Sequence, residues 1–499
     1  MMRKLIYSVL MWFMMMAQSD AAELSKCLVP SGSASIPIFL DNKASSGGEE
    51  TSFGVNVIYT VDDAGVWQSG LAQKLRQLGI GSLRYPGGEV ADSHDWARSG
   101  ADLEMKKNLS SASIDFKDFL EYAKVMQVSN IYFVVNLEGA FRASGDRREA
   151  SIRAYADKAA AWVAEAKRLG SHVKYWEIGN ESYLAETTYP LTAEEYAHAL
   201  NIFSKAMRAA DSSIRIVANG PGNIRAQGFA DTLPEDQLTL FRNNRGQLCG
   251  DLVRKECAQT LKGGAVRAEG KDGWWGEVVR IAPNGFDDVA IHTYDMVNLK
   301  GKDGGKFKNT DKIVTLKQHL TRLLGRPVGV AVTEWNVPPT RRGGKTGSQA
   351  ILSNAIKLGN FMAAGVQDAV FWPLRYPSEE ESDRALLSMD GLEEQPMYRA
   401  FDLMNSTLRG KFVSQELIDE GVYVLRTRNA EGESVMMVNA NPAKKNVALD
   451  YHRKSSSVQI DQLSGDLMEG GALCSGPVSP KGVGVVLPAK SITVTRFMH

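Results

Sequence analysis

Two short stretches carry acidic side chains in settings that could do chemistry: Trp176-Glu177-Ile178-Gly179-Asn180-Glu181 and Val332-Thr333-Glu334-Trp335-Asn336. Each begins as a β-rich run and turns polar where the run stops. Two carboxylates facing one cleft can divide the work of breaking a glycosidic bond. One stays protonated and gives its proton to the leaving oxygen, while the other is ionised and attacks or stabilises the anomeric carbon. A carboxyl separation of about 5–5.5 Å implies retention through a covalent intermediate, and one of roughly 6.5–9.5 Å implies inversion. Asn180, immediately before Glu181, is placed to hold a sugar 2-hydroxyl. An Asn-Glu dipeptide alone carries no signal, and Glu334 alone could simply pair with a barrel arginine. Meaning comes from both acids falling at the ends of strands.

For residues so distant in sequence to meet, the elements between them must close into one scaffold. From about residue 51, short β-rich runs alternate with helical ones. The runs lie at 53–59, 82–85, 131–137, 174–178, 215–218, 289–292, 329–333 and 369–372, each bounded by Gly, Pro, Asn or charged residues. Amphipathic segments at 72–78, 116–125, 153–169, 193–209 and 353–363 lie between them. This alternation predicts an α/β fold, a parallel sheet closed into a (β/α)8 TIM barrel. A doubly wound sheet would want a phosphate-cradling Gly turn after the first strand, and Phe53-Gly54-Val55-Asn56 offers none. Loops after the C-terminal ends of barrel strands build the active site. Glu181 after strand four and Glu334 after strand seven are therefore expected at one mouth.

The stretch 222–283 is too long for an ordinary barrel connection. It reads as an excursion after strand five, and its Trp274-Trp275 pair either stacks on a pyranose or anchors the long loop, the commoner use. After a helix at 395–404, short alternating strands at 422–427, 434–439, 446–449, 457–460, 484–487 and 492–497 predict a C-terminal antiparallel β-sandwich. The expected division is a signal peptide at 1–22, a segment at 23–50 joining the sandwich, a catalytic barrel at 51–410 and the sandwich at 411–499.

A chain of 499 residues suits one large domain with a smaller one. Lys plus Arg equals Asp plus Glu at 58 each, so the whole chain lacks the basic field that draws nucleic acid. The expected partner is a polysaccharide or oligosaccharide. Met1-Met2-Arg3-Lys4, the apolar run from Leu5 to Ala17, and small residues at Ser19 and Ala21 have the outline of a signal peptide. That run is too short for a membrane span, and no later stretch approaches ~20 apolar residues. Leu24-Ser25-Lys26-Cys27 has a lipobox outline, with Lys26 where a small residue belongs. Secretion or a periplasmic location follows, and there an even set of cysteines favours disulfides. Cys249 and Cys257 would staple a loop, leaving Cys27 for Cys474; their scatter has no zinc spacing. No metal or organic cofactor is implied.

Leu83-Arg84-Tyr85-Pro86-Gly87-Gly88, His94-Asp95-Trp96, Gly179-Asn180-Glu181, His292-Thr293-Tyr294-Asp295 and Glu334-Trp335-Asn336 together resemble a clan of (β/α)8 retaining glycosidases with strand-four and strand-seven glutamates. Within that clan the sequence is most similar to the α-L-arabinofuranosidase family, over about residues 53–410 and on into a C-terminal β-sandwich. The resemblance implies Glu181 as acid/base, Glu334 as nucleophile, Arg84 as the cation beside Glu334, and Asn180 at the 2-hydroxyl. It places His292 and Tyr294 on strand six, with Tyr294 touching Glu334 or the sugar, and Trp372 at the end of strand eight as a sugar floor. For His292 and Trp372 ordinary barrel packing is the competing role, while Trp96 is expected to support its loop. The pattern departs from that family in lacking a strand-one acid at Phe53–Asn56 and in having Glu89 where Asn is usual. Relatives acting on agar-type, uronic-acid-containing or bacterial exopolysaccharides therefore stay open. Arg341-Arg342-Gly343-Gly344-Lys345 is a basic loop that could hold an acidic sugar or simply be solvated. A non-catalytic polysaccharide-binding or secretion scaffold is the rival of another class, and it has no need of both glutamates and Arg84.

Overall fold

The computed structural model describes residues 27–28, 33–40, 50–97, 113–243 (save 172, 186 and 188), 273–297, 308–340, 343–376, 384–450 (save 420), 457–465, 473–476 and 483–498. The expected signal peptide, the Cys249–Cys257 pair and Arg341-Arg342 lie outside those residues. Among the described residues no helix is long and apolar enough to cross a membrane.

After a short strand β1 (Ile36–Phe39), eight strands carry the barrel: β2 (Ser52–Asn56), β3 (Ser82–Tyr85), β4 (Asn130–Val135), β5 (Tyr175–Ile178), β6 (Arg215–Asn219), β7 (Asp288–Thr293), β8 (Gly329–Trp335) and β9 (Asp368–Phe371). All pair in parallel with their neighbours, and β2 pairs with both β3 and β9, so the ring is closed. Side chains alternate faces along each strand, which stacks the interior in layers. At one level Tyr132 and Tyr175 lie face to face with centroids 4.6 Å apart, packed with Val217, Ala290 and Ala331. Asp368 accepts hydrogen bonds from the Tyr132 hydroxyl and from Asn130 Nδ2. Two residues further along the strands the interior becomes polar, with Arg84, Glu177, Asn219 and Thr333 all buried. The barrel is plugged by aromatics below and lined with charge at its C-terminal mouth.

Helices α1 (Ala72–Gln77), α2 (Phe116–Met126), α3 (Arg147–Arg168), α4 (Ala193–Ala210), α5 (Glu235–Asn243), α6 (Gly273–Ile281), α7 (Lys308–Leu324), α8 (Gly347–Ala363) and α9 (Pro396–Leu408) surround it. Asp115 caps α2 through the Lys117 and Asp118 amides, and Thr192 with Glu195 forms a capping box on α4. Trp162 on α3 fixes that helix to the strands that lead to the site. Its ring stacks on Phe133 at 4.7 Å and meets Trp176 edge-on at 5.3 Å. Trp96 stacks over Trp162, as a loop support should.

In the excursion after strand five, the tryptophan pair takes the anchoring role of its two expected alternatives. Trp274 and Trp275 are not a sugar platform: both are buried on α6, Trp275 donates to the Pro221 carbonyl at 2.8 Å, and Trp274 packs on Tyr196. Helix α7, absent from the sequence reading, buries Ile313, Leu316 and Leu320 at helical spacing.

Strands β10 (Lys411–Asp419), β11 (Val422–Arg428), β12 (Gly432–Asn439), β13 (Lys445–Asp450), β14 (Ser457–Ser464), β15 (Leu473–Gly476), β16 (Val483–Leu487) and β17 (Ser491–Met498) form the sandwich with β1. One sheet runs β10-β11-β12-β17-β14-β15 and the other β1-β13-β16. The larger sheet is buried on both faces. Val422, Val424, Val435 and Met437 face the smaller sheet, while Tyr423, Leu425, Met436 and Val438 join the barrel's core. Two buried faces explain the near-continuous apolar runs of β11 and β12. In the smaller sheet, β1 pairs in parallel with β13, and Cys27 is buried nearby. The Cys474 side chain is outside the described residues, as is its expected pairing.

Replacing Trp162 with Ala removes the ring that joins α3 to β4 and β5. It should destabilise the barrel by about 3–5 kcal/mol, read as a lowered denaturant midpoint with an unchanged slope.

Candidate active site

The chain leaves β5 through a turn that only particular residues tolerate. Gly179 has φ 75°, and a Cβ there would lie 2.9 Å from Ser182 Oγ and 3.0 Å from Leu137 Cδ2. Glu181 itself sits at φ 48°, left-handed for a residue with a side chain, at a cost of roughly 1–2 kcal/mol. Asn219 Oδ1 holds this turn by accepting the Glu181 backbone N–H at 3.0 Å. At the opposite rim, simple alternation would send Thr333 and Glu334 to opposite faces of β8. Pairing with β9 slips between Val332 and Trp335, and such an irregularity re-aims side chains. Thr333 Oγ1 then reaches Glu177 at 3.3 Å while Glu334 Oε1 meets Arg84.

Arg84 joins the two rims. Its Nη1 donates to Glu334 Oε1 at 2.7 Å and Asn56 Oδ1 at 3.0 Å; its Nη2 donates to Asn180 Oδ1 at 2.8 Å and Glu177 Oε1 at 3.1 Å; its Nε donates to Glu177 Oε2 at 2.8 Å. These contacts use all the donors a guanidinium has. His292 Nδ1 lies 2.8 Å from Glu181 Oε1 and 3.5 Å from Glu334 Oε2. Tyr294 donates its hydroxyl to Glu334 Oε2 at 2.7 Å. Trp372 follows β9 with its ring over Gly88, where a Cβ would fall 2.4 Å from the ring. Arg84, Asn180, Glu181, His292, Tyr294, Glu334 and Trp372 are therefore gathered at one mouth.

The two glutamates sit in different surroundings. Burial would raise the Glu334 carboxyl, but His292, Arg84 and the Tyr294 hydroxyl outweigh it and hold the group below its ordinary range. The Glu181 side chain is 20% exposed against 6% for Glu334. Burial would lower the His292 imidazolium, but Glu334 and the bond to Glu181 outweigh it and raise it. The nearest donor atoms of Glu181, His292 and Glu334 lie within 4.8 Å of one another. Such a set could also grip a cation, but the Arg84 guanidinium already holds the cationic position against Glu334.

Three buried groups escaped the sequence reading. Glu177 accepts the Arg84 fork and the Asn219 amide, the latter at 2.7 Å. It shares strand parity with Tyr175, so an inward direction was legible, and an inward acid demands a cation. Asn219 ends β6 with the same parity. Asp92, on the turn after β3, is pushed well above the usual carboxylate range by burial and by Glu138 and Glu89. Asn56 occupies the first strand where the resembled family has an acid, and its amide is spent on the Thr333 and Phe371 carbonyls and on Arg84.

No family model matches the chain. An intracellular exo-α-(1→5)-L-arabinofuranosidase of Bifidobacterium longum is 28% identical over 174 residues, covering 32% of this chain and 30% of that protein. The match thus spans under a third of that relative. Among solved structures, a family 51 α-L-arabinofuranosidase of Bifidobacterium longum superposes with TM-score 0.61 at 15% identity, covering 93% of this chain and 99% of that one. CelM2, a bifunctional glucanase-xylanase from a metagenome library, gives 0.62 at 14% identity with coverage of 93% and 99%. A GH30 endoxylanase of Clostridium papyrosolvens gives 0.56 at 14%, covering 93% of this chain and all of that one. The shared feature is the fold, a barrel with its appended sandwich.

His292 should titrate above the ordinary histidine value of about 6.5, because its protonated form is favoured by two facing carboxylates. Histidine-selective NMR checks this, and Glu334→Gln should move the titration down.

Proposed function

We infer that the chain is a retaining glycoside hydrolase acting on an oligosaccharide or polysaccharide. What carries the reading is that one carboxylate oxygen of Glu181 and one of Glu334 lie within 4.8 Å of each other at one mouth, in keeping with the close carboxyl pair of retaining enzymes rather than the roughly 6.5–9.5 Å that admits a water. Glu334, kept ionised by Arg84 and Tyr294, attacks the anomeric carbon. Glu181 protonates the departing oxygen, then takes a proton from the water that releases the sugar. Asn180 meets the 2-hydroxyl and Trp372 supports the ring face. Glu181, the more exposed acid, is the one open to the incoming water.

Arabinofuranosides are the first substrates to try, given the relatives. The state of Asn56 favours a second reading, another sugar, since it is a neutral, buried residue whose amide N–H groups already donate to the Thr333 and Phe371 carbonyls. The polar leader at 1–4 with its apolar run, and the even cysteine set, support export with Cys27 joined to Cys474. Peptide mapping of protein recovered from culture medium or periplasm, without reductant, should give that cross-link and a chain lacking residues 1–22. Intact leader with free thiols would remove the export reading.

The catalytic assignment is tested with activated aryl glycosides and product analysis. Glu334→Gln should abolish turnover. Glu181→Ala should slow natural substrates by about 10²–10⁴-fold, spare the first step on a good leaving group, and recover with azide as a glycosyl azide of retained configuration. First-formed product of inverted configuration in the wild type would sink the mechanism. Tight oligosaccharide binding with no product would instead favour the scaffold reading.

A further inference from the structure

Glu177 touches neither sugar nor reacting atom in the reaction just described, yet its side chain is 0% exposed. It accepts from Arg84 Nε, Arg84 Nη2, Asn219 Nδ2 and Thr333 Oγ1. Burying a carboxylate this deeply is costly unless it is paired, and a simple barrel-lining position would be filled more cheaply by an apolar residue. Its partners lead in two directions toward the chemistry. The Arg84 fork leads to Glu334 and Asn180. Asn219 leads to the Glu181 backbone, and His292 Nε2, 4.0 Å from Glu177 Oε1, belongs to the ring that meets Glu181 through Nδ1.

We propose that Glu177 is a positioning residue that acts through Arg84 and His292. It locks the guanidinium plane so that the free edge meets Glu334 and Asn180, and it keeps part of the Arg84 charge from the nucleophile. This rests on the double-displacement reading of Glu181 and Glu334.

The geometry supports both halves. A bidentate carboxylate on the Nε–Nη2 edge removes rotation of the guanidinium, which leaves Nη1 directed at Glu334 and Asn56. An arginine given wholly to one carboxylate would stabilise the resting nucleophile, and that attraction is lost as Glu334 bonds to the anomeric carbon. Sharing the cation between two carboxylates lessens this loss. The groups facing Glu177 are Arg84 from β3, Asn219 from β6, His292 from β7, Thr333 from β8 and Tyr196 from α4. Of these Arg84 and His292 can bear positive charge. His292 in turn faces Glu181, Glu334, Glu177 and the opposing charge of Arg84. Loss of the Glu177 charge therefore disfavours the imidazolium and favours ionised Glu334, moving both titrations to lower pH.

Two variants separate the halves. Glu177→Gln keeps the shape and removes the charge. The His292 titration, followed by histidine-selective NMR with His292→Asn for assignment, should fall by about one pH unit. The acidic limb of the pH–rate profile should move down with it. Glu177→Asp keeps the charge and retracts the fork; kcat should fall by about 10–100-fold with KM little altered and both titrations near wild type. Unmoved His292 and acidic limb in Glu177→Gln would overturn the charge-sharing role. Wild-type kcat in Glu177→Asp would overturn the positioning role, and a lowered melting temperature with unshifted titrations in both variants would reduce Glu177 to a structural group. Should Glu177→Gln fail to fold, Glu177→Asp carries the test alone, and wild-type kcat there overturns the proposal. The NMR readout needs no substrate. A shifted His292 in a protein that cleaves no glycoside keeps the link between Glu177 and His292 and discards the hydrolase reading.

Discussion

One buried cation organises the mouth of this barrel. The Arg84 side chain is wholly withdrawn from water, a state that is tenable only when its donors are met. Its partners come from the first, fourth and seventh barrel strands and from the turn after the fourth: Asn56, Glu177, Glu334 and Asn180. None of these is near Arg84 in sequence. The charge can be buried only after the ring has closed, so the site and the closed barrel presuppose each other. Lysine at this position would offer neither the planar fork nor enough fixed directions.

Closure alone would not make two glutamates different, and glycosidic chemistry needs them different. Local backbone and depth do that work. Glu334 lies on a strand with a pairing slip, buried against Arg84 and Tyr294. Glu181 lies beyond its strand on a left-handed turn, bound by its backbone to Asn219 and by its side chain to His292. Two like residues in unlike environments is the arrangement that the proposed division of labour between them requires. His292 couples them, since its Nδ1 is within reach of both carboxylates.

Much of this was legible in the chain. The eight strands could be read because inward and outward parity, turn residues and helical spacing agree, and 82–85 coincides with β3. Glu181 and Glu334 were legible because polar residues directly after apolar runs stand out. What was missed depends on things that sequence periodicity does not carry. Helix α6 looked like loop because a long insertion precedes it, and its paired tryptophans were ambiguous until their neighbours, Tyr196 and the Pro221 carbonyl, were known. The pairing slip in β8 has no residue signature, since Thr333 and Glu334 read as ordinary alternation. Asn56 gave no sign that its amide would be consumed by carbonyls from two other strands.

The sandwich bears on the site more than its distance suggests. Helix α8 is buried nearly throughout, from Ser348 to Met362, because the barrel lies on one side and β10, β12 and β17 on the other. That double burial carries Lys357 into the interior, where desolvation brings its ammonium down to about 7. Its Nζ donates to the Asn336 carbonyl at 2.7 Å, and Asn354 of the same helix donates to Asn336 Oδ1 at 2.8 Å. Asn336 passes the connection on, donating from Nδ2 to the Trp372 carbonyl at 2.7 Å. The helix clamped by the sandwich therefore grips the chain two residues beyond Glu334 and ties it to Trp372. Without the sandwich, the face of α8 that meets β10, β12 and β17 would be exposed. The chain beyond Glu334 would then lose that clamp where the pairing of β8 with β9 is irregular, leaving Arg84 and Tyr294 to hold the carboxylate.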